Sequence, residues 1–118
     1  MSVMLAAATL ALVQPGDGGI DLHGPPRDPI HAWVRCMAQA ATPLVMSGSN
    51  GRRAVRRAGR DCAPLEAPMS AFIQRSEQAA GRTVDMAEAN RMAETVRAEL
   101  RGPIIQTLDI LRQTMPPR

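Results

Sequence analysis

The chain has no lysine and no tyrosine, and it carries one tryptophan (Trp33) and one phenylalanine (Phe72). All 14 of its basic residues are arginine. Without lysine there is no Schiff-base nucleophile, no phosphate-loop lysine and no serine–lysine dyad. HExxH, GxSxG and CxxC patterns are missing too. These gaps remove the familiar catalytic kits, so the chain reads as non-enzymatic with no cofactor expected. The shortage of aromatics also bears on architecture. Ala and Met dominate an apolar content of 45%. Such side chains let helices pack closely but fill a pleated sheet poorly, because strands favour β-branched and aromatic residues. A length of 118 residues gives room for one domain, and the composition is too apolar for a disordered one.

What is present begins with a leader-like run, "MSVMLAAATLALVQPGDGG". Its dozen or so apolar positions fall short of the roughly twenty that a membrane-crossing helix needs. They match the apolar region of a secretory signal peptide, with Thr9 and Ala11 as the small residues before a cut after Ala11. No basic residue precedes the run, and the competing reading is a buried N-terminal helix. Residues 1–11 are therefore expected to be a signal peptide. Residues 12–27, rich in Gly and Pro, read as a flexible arm. Asp17, Asp21 and His23 in that arm have ligand chemistry but no rigid shell to hold a metal, so none is expected.

From residue 28 to residue 115 the pattern is helical. Asp28 suits an N-cap and Pro29 a first helical position. Ile30, Trp33, Val34, Met37, Ala41, Leu44 and Val45 follow as an apolar stripe of 3.6 period. Pro43 predicts a kink or an end near Thr42. "SGSNG" at 47–51 reads as a loop, with Asn50-Gly51 suited to left-handed backbone. A second helix runs to about Cys62, and Pro64 and Pro68 restart the chain. A third presents Met69, Phe72, Ile73, Ser76 and Ala80 and closes at Gly81. A fourth starts near Thr83, where Asp85 and Glu88 have capping-box spacing. It carries Ala89, Met92, Ala93, Val96 and Leu100, and it pairs Glu88 with Arg91 and Glu94 with Arg97, while Arg97 and Arg101 repel. Gly102-Pro103 predicts a break before a final helix with Ile104, Ile105, Leu108, Leu111 and Met115. The expected fold is all-α: a small bundle of four to five short helices.

The two cysteines add a staple. Cys36 lies thirteen positions before Ser49, the centre of the 47–51 loop, and Cys62 thirteen after it. In an antiparallel helical hairpin, residues equidistant from the turn sit at equal height, because both helices rise about 1.5 Å per residue. An even cysteine count in an exported chain points to a bridge. In a cytosolic chain the same pair would be two buried thiols. A redox pair or a thiol–His31 metal set is the weaker reading, since the spacing is not CxxC and two Cys with one His leave a zinc set incomplete.

The stretch "GRRAVRRAGRDC", 51–62, holds Arg52, Arg53, Arg56, Arg57 and Arg60. On a wheel of about 100° per residue, all five avoid the side occupied by Cys62, Val55, Ala58 and Ala54. A solvated face explains their position but not their sign. Residues 51–63 balance to +4 while the whole chain is +3, so the remainder sums to −1. The row is the candidate site for an anionic membrane or lipopolysaccharide surface, or for an acidic protein, including a second copy of the chain. An intracellular nucleic-acid binder is the alternative, although export and the missing stacking aromatics count against it. A small hydrolase or redox enzyme using His31 with Asp28, or the cysteines, is the remaining one.

The exported reading makes one joint expectation. Cell fractionation with intact-mass analysis should find the protein outside the cytosol, beginning at Leu12, with two hydrogens fewer than the dithiol form. Cytosolic protein that retains Met1 and two alkylatable cysteines would overturn it.

Overall fold

The computed structural model describes residues 28–115. The expected signal peptide at 1–11 and the arm at 12–27, with Asp17, Asp21 and His23, lie outside the described residues. Every regular element among the described residues is helical: α1 (Pro29–Met46), α2 (Gly51–Asp61), a 3-10 turn (Ala63–Leu65), α3 (Glu66–Ala79) and α4 (Met86–Thr114).

The helix starts are decided locally. The Asp28 carboxylate accepts from the His31 N–H at 2.9 Å, and Pro29 opens α1 where its missing N–H costs nothing. Asp85 accepts from the Glu88 N–H at 2.8 Å and fixes the start of α4 at Met86, three residues after Thr83. The helix ends use glycine. Gly48 at φ +111° and Gly81 at φ +86° take the left-handed conformation that closes α1 and α3. In each, the N–H two residues past the cap returns to the helix, Ser49 to the Leu44 carbonyl at 3.0 Å and Arg82 to that of Glu77 at 2.8 Å. The sequence pointed to Asn50-Gly51 for left-handed backbone, but neither residue has positive φ. Asn50 is instead extended, and its Oδ1 accepts from the Arg53 N–H at 2.8 Å. A short polar side chain serves a turn and an N-cap equally well, so residue type alone could not separate them.

Two prolines expected to interrupt helices do not. α1 continues through Pro43, and α4 continues through Gly102-Pro103 to make one helix of 29 residues, about 43 Å long. Four α-helices result among the described residues, and the last is long. The reason is burial on both sides of each proline. Ala41 and Val45, four residues apart, are both fully buried, and an extended residue before Pro43 would move Val45 off that face. Ile104 and Leu108 likewise continue the buried line of Ala89, Ala93 and Arg97. Pro43, Gly102 and Pro103 are all exposed. So are Gln39 and Glu99, whose carbonyls each proline deprives of a helical N–H.

The core is one cluster. Trp33, Met37, Ala41 and Val45 of α1 meet Ala54, Val55 and Ala58 of α2, Met69 and Ile73 of α3, and Ala89, Ala93, Ile104 and Leu108 of α4. α1 and α4 each touch every other helix, whereas α2 and α3 pack on those two and not on each other. The α3 stripe is rotated from its expected position. Met69, Ser70 and Ile73 are buried, Phe72 is half-buried, and Ser76 and Ala80 are exposed. No described helix is long and apolar enough to cross a membrane.

Cys36 and Cys62 are bonded, with Cα atoms 5.9 Å apart and a sequence separation of 26. Cys62, the C-cap of α2, is fully buried. The bridge therefore ties the middle of α1 to the end of α2 inside the core. Closing a loop of this length removes unfolded-state entropy worth about 3–4 kcal/mol, a large share of the stability of an ordinary domain. Replacing both cysteines by serine should lower the unfolding free energy by about 3–4 kcal/mol, measured by urea denaturation with and without reductant. An unchanged midpoint would mean that packing alone holds the hairpin.

Candidate functional site

α2 is built so that its two sides do different things. Gly51, Ala54, Val55 and Ala58 are buried against α1 and α4, while Arg52, Arg53, Arg56, Arg57 and Arg60 are all exposed. The helix begins pressed against α4. The Gly51 N–H donates to Asp109 Oδ1 at 2.9 Å. A Cβ at position 51 would lie 2.7 Å from that oxygen and 2.8 Å from the Ile105 carbonyl oxygen, so only glycine allows this approach. Asn50 and Asp109 thus satisfy two of the N–H groups that a helix start leaves open.

None of the five arginines has an ion pair or a side-chain hydrogen bond among the described residues. Elsewhere the pattern is mixed: Arg75, Arg91 and Arg112 have no ion pair among the described residues either, so the expected Glu88–Arg91 pair does not form, but three other arginines are paired. Arg82 pairs with Glu77. Arg97, only 7% exposed, donates to Glu94 at 2.6 Å and stands 3.7 Å from Glu66. Arg101 reaches the other oxygen of Glu94 at 3.3 Å. The repulsion expected between Arg97 and Arg101 is therefore relieved, because one carboxylate lies between them. Arg97 Nε and Nη1 are buried and have no hydrogen-bond partner among the described residues. Its place in the α4 stripe of small and aliphatic residues gave no sequence signal of burial.

Between α2 and α4 runs an open groove of about 540 Å³. Arg52, Arg56 and Arg60 stand along its α2 wall and Arg101 on the α4 side, over a floor that includes Val55, Gly59, Ala63 and Ile105. Glu66 is the acidic residue on its lining. A second depression of about 520 Å³ shares Arg52 and Ile105 and continues past Gly102 to Asp109. Arg53 and Arg57 line neither. The sequence row thus divides into three arginines that border this groove and two that do not. Arg101 and Ile105 were not readable as part of this site, since they lie some fifty positions away and join it only through tertiary packing.

Gly59 was a readable signal. It lies inside α2, and a Cβ built on it meets nothing within 4 Å. Neither packing nor dihedral angle demands glycine here. A helix-interior glycine costs about 0.5–1 kcal/mol relative to alanine. Its effect is to leave the groove wall open between Arg56 and Arg60.

The other constellations carry less. His31 Nδ1 lies 3.0 Å from Asp28 Oδ1, the same oxygen that accepts from the His31 N–H, so the pair forms a helix cap. Partial burial pushes the Asp28 carboxyl up, but the hydrogen bonds from His31 outweigh this and hold it below its ordinary value. Both cysteines are in the bridge. No cluster of His, Cys, Asp or Glu among the described residues has metal-binding geometry.

The Glu94 bridge makes acid sensitivity predictable. Its hydrogen bond from Arg97 holds its carboxyl below the ordinary value of 4.5 against the opposing effect of burial, with Arg101 adding in the same direction. A carboxylate whose folded pKa is lowered contributes stability above its unfolded value and loses it as pH falls through the folded one. Glu94→Gln should therefore melt below the wild type at pH 7, and the gap should shrink as pH drops below about 4.5. A gap independent of pH between 7 and 3 would show that Glu94 acts by packing alone.

No family model matches the chain, and neither a curated protein nor a solved structure matches it.

Proposed function

We propose that this protein is an exported, non-enzymatic binding module that engages an acidic partner through the arginine face of α2. The observation that carries the reading is the clustering of unpaired charge. Five exposed arginines on one helix of 11 residues have no carboxylate partner among the described residues, whereas the others that lack one, Arg75, Arg91 and Arg112, are spread over α3 and α4. An exposed face that needs only solubility mixes both signs of charge. A bonded cysteine pair fits an oxidising compartment outside the cytosol, which supports export.

Among anionic partners, an acidic protein surface is favoured over a bilayer or a nucleic acid. Shallow membrane insertion needs large apolar side chains beside the charges. The exposed ones among the described residues are Met46, Met86 and Ile110, and none is on α2. Stacking on bases needs exposed aromatics. Trp33 is 1% exposed and Phe72 belongs to α3.

The test is charge reversal. Arg52→Glu/Arg56→Glu/Arg60→Glu, on exposed positions, should shift Tm by no more than a few degrees. The wild type should bind immobilised poly-L-glutamate at low ionic strength and release as salt rises, because screening weakens exposed charge pairs. The triple variant should not bind. Failure of the wild type to bind at about 20 mM salt, where the Debye length exceeds 20 Å, would overturn the reading.

A further inference from the structure

We infer that the groove between α2 and α4 is a docking site for an acidic helical segment of a protein partner. The segment would carry carboxylates four residues apart along one face. The inference rests on the reading of the α2 face as a binding surface and narrows it to one half of that face.

Three observations carry it. The first is repeat length. Arg52, Arg56 and Arg60 border the groove at successive positions four apart, a step of about 6 Å along the axis of α2. Glu or Asp residues at i, i+4 and i+8 of a second helix repeat at the same step, so three charge pairs form in register. The second is shape. The arginines stand beside a concave, largely apolar floor of Val55 and Ile105. A rod that lays one face into a groove can use that floor, whereas a flat bilayer surface cannot reach it. The third is Gly59. Glycine there is explained neither by packing nor by backbone geometry, and it is the residue that lets another backbone approach closely between two of the arginines.

Arg53 and Arg57 provide the internal control. They carry the same charge on the same helix but lie off the groove. A diffuse cationic face would use all five arginines alike.

The experiment uses the full oxidised protein and two fluorescein-labelled, helix-stapled peptides of identical composition. One has Glu at i, i+4 and i+8 with Leu and Ala beside them. The other has the same residues scattered around the helix. Binding is read by anisotropy at fixed salt, with melting curves to establish that each variant is folded. The patterned peptide should bind at least tenfold more tightly than the scattered one. Arg52→Gln/Arg56→Gln should weaken it at least tenfold, and Arg53→Gln/Arg57→Gln less than threefold. Gly59→Leu, which changes no charge and whose Cβ meets open space, should also weaken it at least tenfold without lowering Tm.

Equal affinity for the two peptides, equal loss from the two arginine pairs, or indifference to Gly59→Leu would each overturn the groove inference. If salt-sensitive binding to poly-L-glutamate persists in that case, the broader reading of the face survives. If it is absent as well, both fail. Tight binding to phosphatidylglycerol vesicles or duplex DNA, unaffected by Gly59→Leu and unmatched by the patterned peptide, would assign the row to a lipid or nucleic-acid surface and also overturn the groove.

Discussion

α2 is a helix that would not stand alone, and the arrangement around it follows from holding it in place. It has 11 residues, fewer than an isolated helix needs for stability in water. It carries arginines at 52, 56 and 60 and at 53 and 57, so like charges recur at the four-residue spacing that destabilises a helix. It also contains a glycine in its interior. Both of its ends are tied down. Cys62 bonds its last turn covalently to Cys36 of α1, and Asp109 of α4 receives the N–H of Gly51 at its start. Between these ties only small side chains, Ala54, Val55 and Ala58, meet the core.

That arrangement explains why α1 and α4 are the elements that touch everything else. α2 must be gripped from two sides, and the grip is close because the contact residues are small. Gly51 meets α4 at a distance no larger residue allows. The length of α4 matters for the same reason. Had it ended at Gly102, then Ile105 and Asp109 would not be positioned to floor the groove and cap α2. Continuity through Pro103 is thus both a packing result and a precondition for the candidate site.

Charge is distributed in two ways across the molecule. On α3 and α4 acidic and basic residues are interspersed and some pair: Glu94 serves Arg97 and Arg101, and Glu77 of α3 serves Arg82 in the loop that follows. On α2 no such pairing exists among the described residues. The first kind of charge stabilises the fold, most pointedly at Arg97, where burial makes a nearby carboxylate necessary. The second kind adds nothing to the stability of α2 and carries a cost in self-repulsion. A surface with that cost and an open groove beside it is the basis for reading α2 as a binding element.

Much of this was legible from residue order alone. The helical class followed from a composition of Ala, Met and Arg with almost no aromatics. The caps at Asp28 and Asp85 followed from side-chain chemistry that acts over three residues. The bridge followed from equal distances to a loop, and the division of α2 into an arginine side and an Ala/Val/Cys side followed from its period. These features are local, or depend on one symmetric hairpin, so short-range rules suffice. What tertiary structure decided is whatever required burial to outweigh local preference. Pro43 and Pro103 lie inside helices because the apolar residues on either side share one core face. Gly51 became an α2–α4 contact because α4 lies against that point. Arg101 and Ile105 joined Arg52, Arg56 and Arg60 only when two helices far apart in the chain were packed together. Periodicity tells which side of a helix faces inward, but it does not say which helix waits there.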